Sequence, residues 1–236
     1  LYDRVATLTG RPADPDILIV AIDDASIDTL GRWPWRRAIH AALLDRLQGA
    51  RAVGLDLIFA ESDTVNPNDD RILADSIRRN GHTVLPIVLD RLANPSAIAA
   101  PIPILAQAAA SSGFINARVD SDGVVREATP ATDFSGERRF HLALSMLTVG
   151  GQPDKAQQLL QRAGPDGNIL IPYAGSTAHM RTVSYLSVLR GDVPAEALRG
   201  KYVLVGAWAT GLGDAYPTPV SVSYTHLRAH ETREDL

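Results

Sequence analysis

The chain reads as an α/β protein with a mixed, mostly parallel core sheet flanked by helices and an antiparallel hairpin insertion. Three observations predict this class. The runs Ile17 to Ile22, Ala52 to Phe59 and Lys201 to Ala207 are apolar on both faces, with Asp56 interrupting the second. That is the pattern of strands covered on both sides in a parallel sheet. Segments of helix length separate the first run from the second, and the second from Thr83 to Leu89, the spacing of right-handed crossovers between parallel strands. Finally, Asp122-Gly123 sits between two extended runs, a hairpin signal.

Each element has a local reason. The first strand ends on Asp23 and Asp24, and Gly31-Arg-Trp-Pro-Trp-Arg-Arg37 follows. Pro34 suits a first helical turn, where its missing N–H would have been an orphan anyway. Ile39, Leu43 and Leu47 then form one apolar stripe, so the spacing predicts a helix over Trp35 to Gln48. Asn66-Pro-Asn-Asp-Asp70 supplies a cap, a proline and first-turn acids for the next helix, and Asn80-Gly81 closes it. Pro86 inside Thr83 to Leu89 argues for an edge strand or a bulge. Pro101 to Ser112 is Ala-rich and expected to be helical up to Gly113. Phe114 to Asp120 and Val124 to Ala128 read as strands around the Asp-Gly turn. Helices are expected at Phe140 to Val149 and Lys155 to Ala163, and a strand at Ile169 to Tyr173 after the turn Gly164-Pro-Asp-Gly167.

Composition narrows the function classes. With 236 residues, 45% of them apolar, the chain has the means to bury roughly 70% of its unfolded surface in one core, and no linker-like stretch divides it. The net charge is −4 and no Lys/Arg block occurs, which leaves no footprint for nucleic acid. There is no cysteine, hence no disulfide, no thiolate metal site and no thiol nucleophile. No apolar run approaches the roughly 20 residues that cross a bilayer. Because the chain starts at Leu1 without methionine, an upstream signal or anchor is expected.

Ligand sites in parallel sheets lie beyond the C-terminal ends of the strands, where Asp23, Asp24, Asp56 and Asp214 could converge to hold a hard cation or the hydroxyl and amine groups of a small molecule. Against this, Asp23 or Asp24 serves as a helix cap and Asp214 as a turn acceptor equally well. Asp56 stands apart, since an acid within an apolar strand costs free energy unless it is paired. Of Trp33 and Trp35, one is expected in the core and one along a cleft. Arg36 and Arg37 oppose the helix dipole, so an acidic partner is expected, with Asp23, Asp24 or Asp56 as the candidates. Gly206-Ala-Trp-Ala-Thr-Gly-Leu-Gly213 lacks both the P-loop Lys-Ser/Thr and the Gly-x-Gly-x-x-Gly spacing. His40, His82, His141 and His179 have no evident catalytic partner, and His226 with His230 lacks a third metal ligand. No catalytic residue, metal or cofactor is therefore expected.

Val20-Ala-Ile-Asp-Asp-Ala-Ser-Ile27, Leu30-Gly-Arg-Trp-Pro-Trp-Arg-Arg37 and Gly54-Leu-Asp-Leu-Ile-Phe-Ala-Glu61 strongly resemble the second class of the cyclase and histidine-kinase associated sensory extracellular (CHASE) domains. Gly113-Phe-Ile-Asn116, Asp120-Ser-Asp-Gly-Val-Val-Arg126, Ser184 with Val188-Leu-Arg-Gly191, Leu198 to Ala207, Gly211-Leu-Gly-Asp214 and Pro217-Thr-Pro219 continue that pattern in order over about residues 1–220. The resemblance implies an extracytoplasmic sensor at the periplasmic or cell-surface face of a bacterial inner membrane. It further implies an N-terminal anchor before the domain, membrane helices after it, and a cytoplasmic adenylate or diguanylate cyclase or kinase output. It names no ligand. Residues 221–236 depart from the pattern and are expected to be a foreign, disordered tail without evolved function.

The candidate ligand-binding set is Asp23, Asp24, Trp33, Trp35, Arg36, Asp56, Glu61 at the end of the third motif, and Asp214. The expected function is a non-catalytic sensor binding a small molecule or protein signal in the crevice after the strands, with a homodimer left open. Two alternatives are a metal-dependent hydrolase or phosphotransferase using the aspartates and a structural dimerisation module.

Overall fold

The computed structural model describes residues 12–90, 98–174, 180–209, 216–219 and 222–223. In chain order the first elements are β1 (Ile17–Ile22), α1 (Asp24–Leu30), α2 (Arg37–Arg46), β2 (Ala52–Leu55), α3 (Asp69–Asn80), β3 (Thr83–Leu89), β4 (Ile98–Ala99), α4 (Pro103–Ala108) and β5 (Ser111–Phe114). There follow β6 (Glu127–Ala128), β7 (Ala131–Phe134), β8 (Glu137–Phe140), α5 (Leu142–Val149), α6 (Pro153–Gln161), β9 (Ile169–Leu170), β10 (Thr182–Ser184), α7 (Tyr185–Arg190), α8 (Ala195–Leu198), β11 (Tyr202–Ala207), β12 (Tyr216–Pro217) and β13 (Val222–Ser223).

The central sheet runs β10-β1-β11-β2-β3, with β5 parallel and β4 antiparallel to β3. All its other pairings are parallel. It is the mixed, mostly parallel sheet that the apolar runs predict. Alternate residues of β2 face opposite layers. Val53 and Leu55 pack with Leu43, Leu44 and Leu47 of α2, Leu73 and Ile77 of α3 and Leu105 of α4. Ala52 packs with Leu142 and Met146 of α5. Each fully buried aliphatic side chain in these layers contributes about 1.5–3 kcal/mol. Gly54 belongs to the α5 layer, and a Cβ there would lie 2.6 Å from Met146 Sδ. At Gly113 of β5 a Cβ would meet the Leu142 backbone at 2.6 Å. Both glycines let α5 sit directly on the sheet.

Several boundaries differ from expectation. The helix expected over Trp35 to Gln48 spans only Arg37–Arg46, and Pro34 precedes it after a cis Trp33–Pro34 peptide bond. β2 ends at Leu55, so Asp56 lies just past the strand. Pro86 is in a central strand, not at an edge or bulge. Thr83 O and Ile87 O accept from Ala110 N and Ile115 N, so the even residues of β3 turn toward β2, whose pairing has already stopped at Gly54 opposite Val84. The missing donor of Pro86 therefore meets no acceptor. α4 is shorter than Pro101 to Ser112, because Ser111–Phe114 is drawn into the sheet as β5.

The antiparallel hairpin expected around Asp122-Gly123 is present in short form, with Arg118 bridged antiparallel to Glu127, and a second, more regular hairpin lies elsewhere. The Asp122-Gly123 turn closes through Asp120 N to Val124 O at 3.0 Å, while Glu127–Ala128 pairs with Ile169–Leu170. The regular hairpin is β7–β8, whose turn residues Ser135 and Gly136 have φ of 52° and 80°. Ion pairs from Arg126 to Asp120 and Asp122, both at 2.8 Å, hold the Asp-Gly turn. The expectation of a disordered tail falls on residues 221–236, which lie outside the described residues apart from Val222–Ser223 in β13.

Candidate functional site

The C-terminal ends of β1 and β2 carry two aspartates with opposite fates. Asp23 closes β1 one residue before α1, where helical N–H groups point back along the axis without partners. Its Oδ1 accepts from Ser26 N at 3.0 Å, from the Ser26 hydroxyl, and from Ser184 Oγ at 3.0 Å. Ser26, fully buried, in turn accepts from Leu186 N at 3.1 Å. Asp23 is thus a cap that ties β1, α1 and the start of α7 together. Asp24 is exposed in the first turn of α1.

Asp56 stands after β2, where the chain continues irregularly through Phe59 and offers no helix start. Its backbone N–H donates to Val205 O at 2.8 Å, but its carboxyl makes no hydrogen bond or ion pair with any described residue. Burial pushes this carboxyl up from its ordinary value of 3.8 to about 7. It opens into a cavity of about 700 Å³ that Trp33, Trp35, Arg36, His40, Phe59, Glu61, Ile115 and Ala207 also line. The volume is that of a small-molecule site.

One wall is aromatic. Trp33 and Trp35 meet edge to face at 5.2 Å between ring centroids, and His40 lies 5.7 Å from Trp33 and 5.8 Å from Phe59. Trp35 is buried and donates its indole N–H to Gly31 O at 2.7 Å, while Trp33 is half-buried. Both tryptophans line the cavity. His40 is 2% exposed, with Nδ1 2.9 Å from the hydroxyl of the fully buried Tyr185. Burial, and secondarily the charge of Arg37, lowers His40 to about 4, so the ring is neutral at physiological pH.

The arginines find other acids than those expected. Arg36 grips Asp69 through Nε at 3.1 Å and Nη2 at 3.0 Å; Arg37 pairs with Asp70 and donates to the Glu61 carbonyl. Asp69 and Asp70 are the first-turn acids of α3, and the Arg36 hydrogen bond holds Asp69 below its ordinary value. The guanidinium of Arg37 also lies 5.5 Å from the centre of the Phe59 ring. These pairs clamp α2 to α3 behind the cavity.

Of the candidate set, Trp33, Trp35, Arg36, Asp56 and Glu61 line one cavity. Asp23 and Asp24 are not among its lining residues, and Asp214 lies outside the described residues, as does His179. Among the described residues no group of three or more His, Cys, Asp or Glu is arranged to hold a metal ion. Sequence reasoning missed Phe59 and His40 as site residues. His40 was legible as a packing group, since it lies four residues before Leu44 and three before Leu43 on the buried face of α2. His141, likewise unassigned, caps α5 by accepting from Ala143 N at 3.2 Å.

No curated protein and no solved structure matches the chain. No described helix is long and apolar enough to cross a membrane. The family model of the CHASE2 domain matches residues 1–232. With its motifs distributed between the α1 cap, the aromatic wall and the Asp56 crevice, the chain belongs to the CHASE2 family of sensory extracellular domains.

Proposed function

We propose that this domain is a non-catalytic sensory module that binds a small ligand in the cavity beyond the C-terminal ends of β2 and β11. The observation that carries this reading is the Asp56 carboxyl, which has no described partner and faces a cavity walled by tryptophan. Keeping an unpaired, half-buried acid costs folding free energy, a cost that a ligand donating to it would offset. The domain acts at the extracytoplasmic face of a bacterial inner membrane, anchored through segments flanking it in the parent protein. Its output there is a cyclase or kinase, and nucleic acid is not a partner. A ligand signals only to the extent that it prefers one state of the module. The hydrolase alternative needs the aspartates to converge, and the capping bonds of Asp23 count against it.

The test is a thermal-unfolding screen of the full chain against small metabolites and divalent cations, beside Asp56→Asn and Trp33→Ala. A ligand at a hundred times its Kd adds about 2.7 kcal/mol, several degrees in Tm for a chain of this size. The expected result is a hit lost in both variants. No hit, together with strong destabilisation by Asp56→Asn, would transfer the assignment to a dimerisation module.

A further inference from the structure

The charge pattern around the cavity selects among ligand chemistries. Two arginines line it, yet Arg36 is held bidentately by Asp69 and Arg37 by Asp70 and the Glu61 carbonyl. An incoming carboxylate or phosphate would have to compete with those bonds. The acids are less well matched. Asp56 has no described partner, and the Glu61 side chain at the mouth makes no ion pair with a described residue. The rest of the wall combines the rings of Trp33, Trp35, His40 and Phe59 with aliphatic side chains such as Leu57, Ile58 and Ile115, and the Trp35 N–H is already satisfied by Gly31 O. A flat apolar body fits such faces, and a cation is attracted to them and to a carboxylate alike.

We infer that the cavity takes an organic cation, a primary ammonium on a flat apolar body, with the ammonium donating to the Asp56 carboxylate and the body against Trp33, Trp35 and Phe59. This rests on reading the cavity as a ligand site and adds the ligand class. A charge-assisted N–H···O bond in a partly desolvated site is strong. The neutral analogue of such a ligand, with a hydroxyl in place of the ammonium, keeps the stacking and loses the ionic bond.

The ionised form of Asp56 is the one that binds a cation, so binding is linked to its titration near 7. The other charged or titratable groups around the cavity are Arg36, Arg37, Glu61 and Asp63, with Asp69 and Asp70 behind the arginines. His40, which burial lowers to about 4, stays neutral from pH 6 to 8.

The experiment is titration calorimetry of the full chain with three probes of one shape: 2-phenylethylamine, 2-phenylethanol and 3-phenylpropanoate. The amine is expected to bind at least tenfold more tightly than the alcohol at pH 8, and the acid more weakly than either. Between pH 8 and pH 6 the amine should lose about tenfold in affinity, as a group titrating near 7 requires. In Asp56→Asn the preference for amine over alcohol should collapse, and the pH dependence with it. Trp33→Ala should weaken both probes alike and preserve their ratio. Equal binding of amine and alcohol, tighter binding of the acid, or a preference that survives Asp56→Asn overturns the inference. Absence of binding by all three at millimolar concentration also overturns the ligand class. The metabolite screen described above then decides separately whether the cavity binds a ligand at all.

Discussion

Asp23 and Asp56 both follow an apolar strand of the same parallel sheet, yet one is consumed by structure and the other is left facing a cavity. The difference lies in what comes next in the chain. After Asp23 a helix begins at once, and the Ser26 N–H with the hydroxyls of Ser26 and Ser184 all donate to its Oδ1. After Asp56 the chain runs on without a helix for a dozen residues, so no cluster of donors reaches it. An acid at a strand end stays open to a cavity only where no helix start claims it.

The largest expected effect comes from breaking the hydrogen-bonded side of this comparison. Asp23→Ala removes the cap and strands the Ser26 N–H and Ser184 hydroxyl in a poorly solvated place. A loss of about 2–3 kcal/mol is expected, visible as a fall of roughly 5–10 °C in Tm. Loss below about 0.5 kcal/mol in chemical denaturation would mean that the network is a by-product of packing.

The unpaired side predicts the opposite sign. The Asp56 carboxyl titrates at 3.8 when free and at about 7 in the fold, so between those values the folded state holds the extra proton. Stability contributed by this group therefore falls as pH rises from about 4 to 7, and stays low above 7. Asp56→Asn should be more stable than the parent at pH 8 by about 1–2 kcal/mol, with no difference near pH 4. His40 and His141, both lowered from 6.5 to about 4 by burial, act in reverse. The unfolded chain protonates first, so their stability is present above 6.5 and lost as pH falls toward 4. The two tendencies partly cancel in the parent protein. Urea unfolding of Asp56→Asn across pH 4–8 should show a steeper loss on the acid side; identical profiles would refute the buried-acid account.

An effect of similar size is expected where the two regions meet. Tyr185 follows Ser184, which bonds to Asp23, and its hydroxyl contacts His40 on the cavity wall. Tyr185→Phe leaves a buried imidazole nitrogen without that partner, at a cost of about 1–2 kcal/mol. A neutral outcome would show that the ring contacts with Trp35 and His40, at 5.0 and 5.9 Å, position the wall by themselves.

The central sheet, α3 with its first-turn acids and closing glycine, and the anomaly of an acid at Asp56 on an apolar run were legible from patterns within a few residues, because periodicity and end signals are local. What was not legible depends on pairing across the chain. Arg36 and Arg37 needed acids, but Asp69 and Asp70, more than thirty residues on, could be chosen over Asp23 or Asp24 only with α2 laid beside α3. The strand Ser111–Phe114 was hidden in an Ala- and Ser-rich stretch of helical character, since its pairing with β3 outweighs local propensity. The hairpin β7–β8 was missed for a related reason. Its turn is Ser135-Gly136, a weaker signal than Asp122-Gly123. The motif residues divide in the same way: Asn116 bonds both Leu89 N and Leu89 O at 2.9 Å and secures the end of β3, and Arg126 secures a turn, whereas Trp33 and Asp56 face the cavity.

The smallest effect sharpens the comparison most cheaply. Asp24 is the immediate neighbour of Asp23 and carries the same charge, but it is exposed on the first turn of α1, where its attraction to the helix N-terminus is screened by solvent and salt. Asp24→Asn should change stability by no more than about 0.5 kcal/mol, and less in high salt. If strand-end acids in this fold mattered through their charge alone, Asp23→Asn and Asp24→Asn would behave alike. If geometry decides, the two must differ by a factor of several, with only the Asp23 effect insensitive to salt. A comparable, salt-sensitive loss in both would mean that the electrostatic field beyond the sheet, and not the serine network, holds α1 in place.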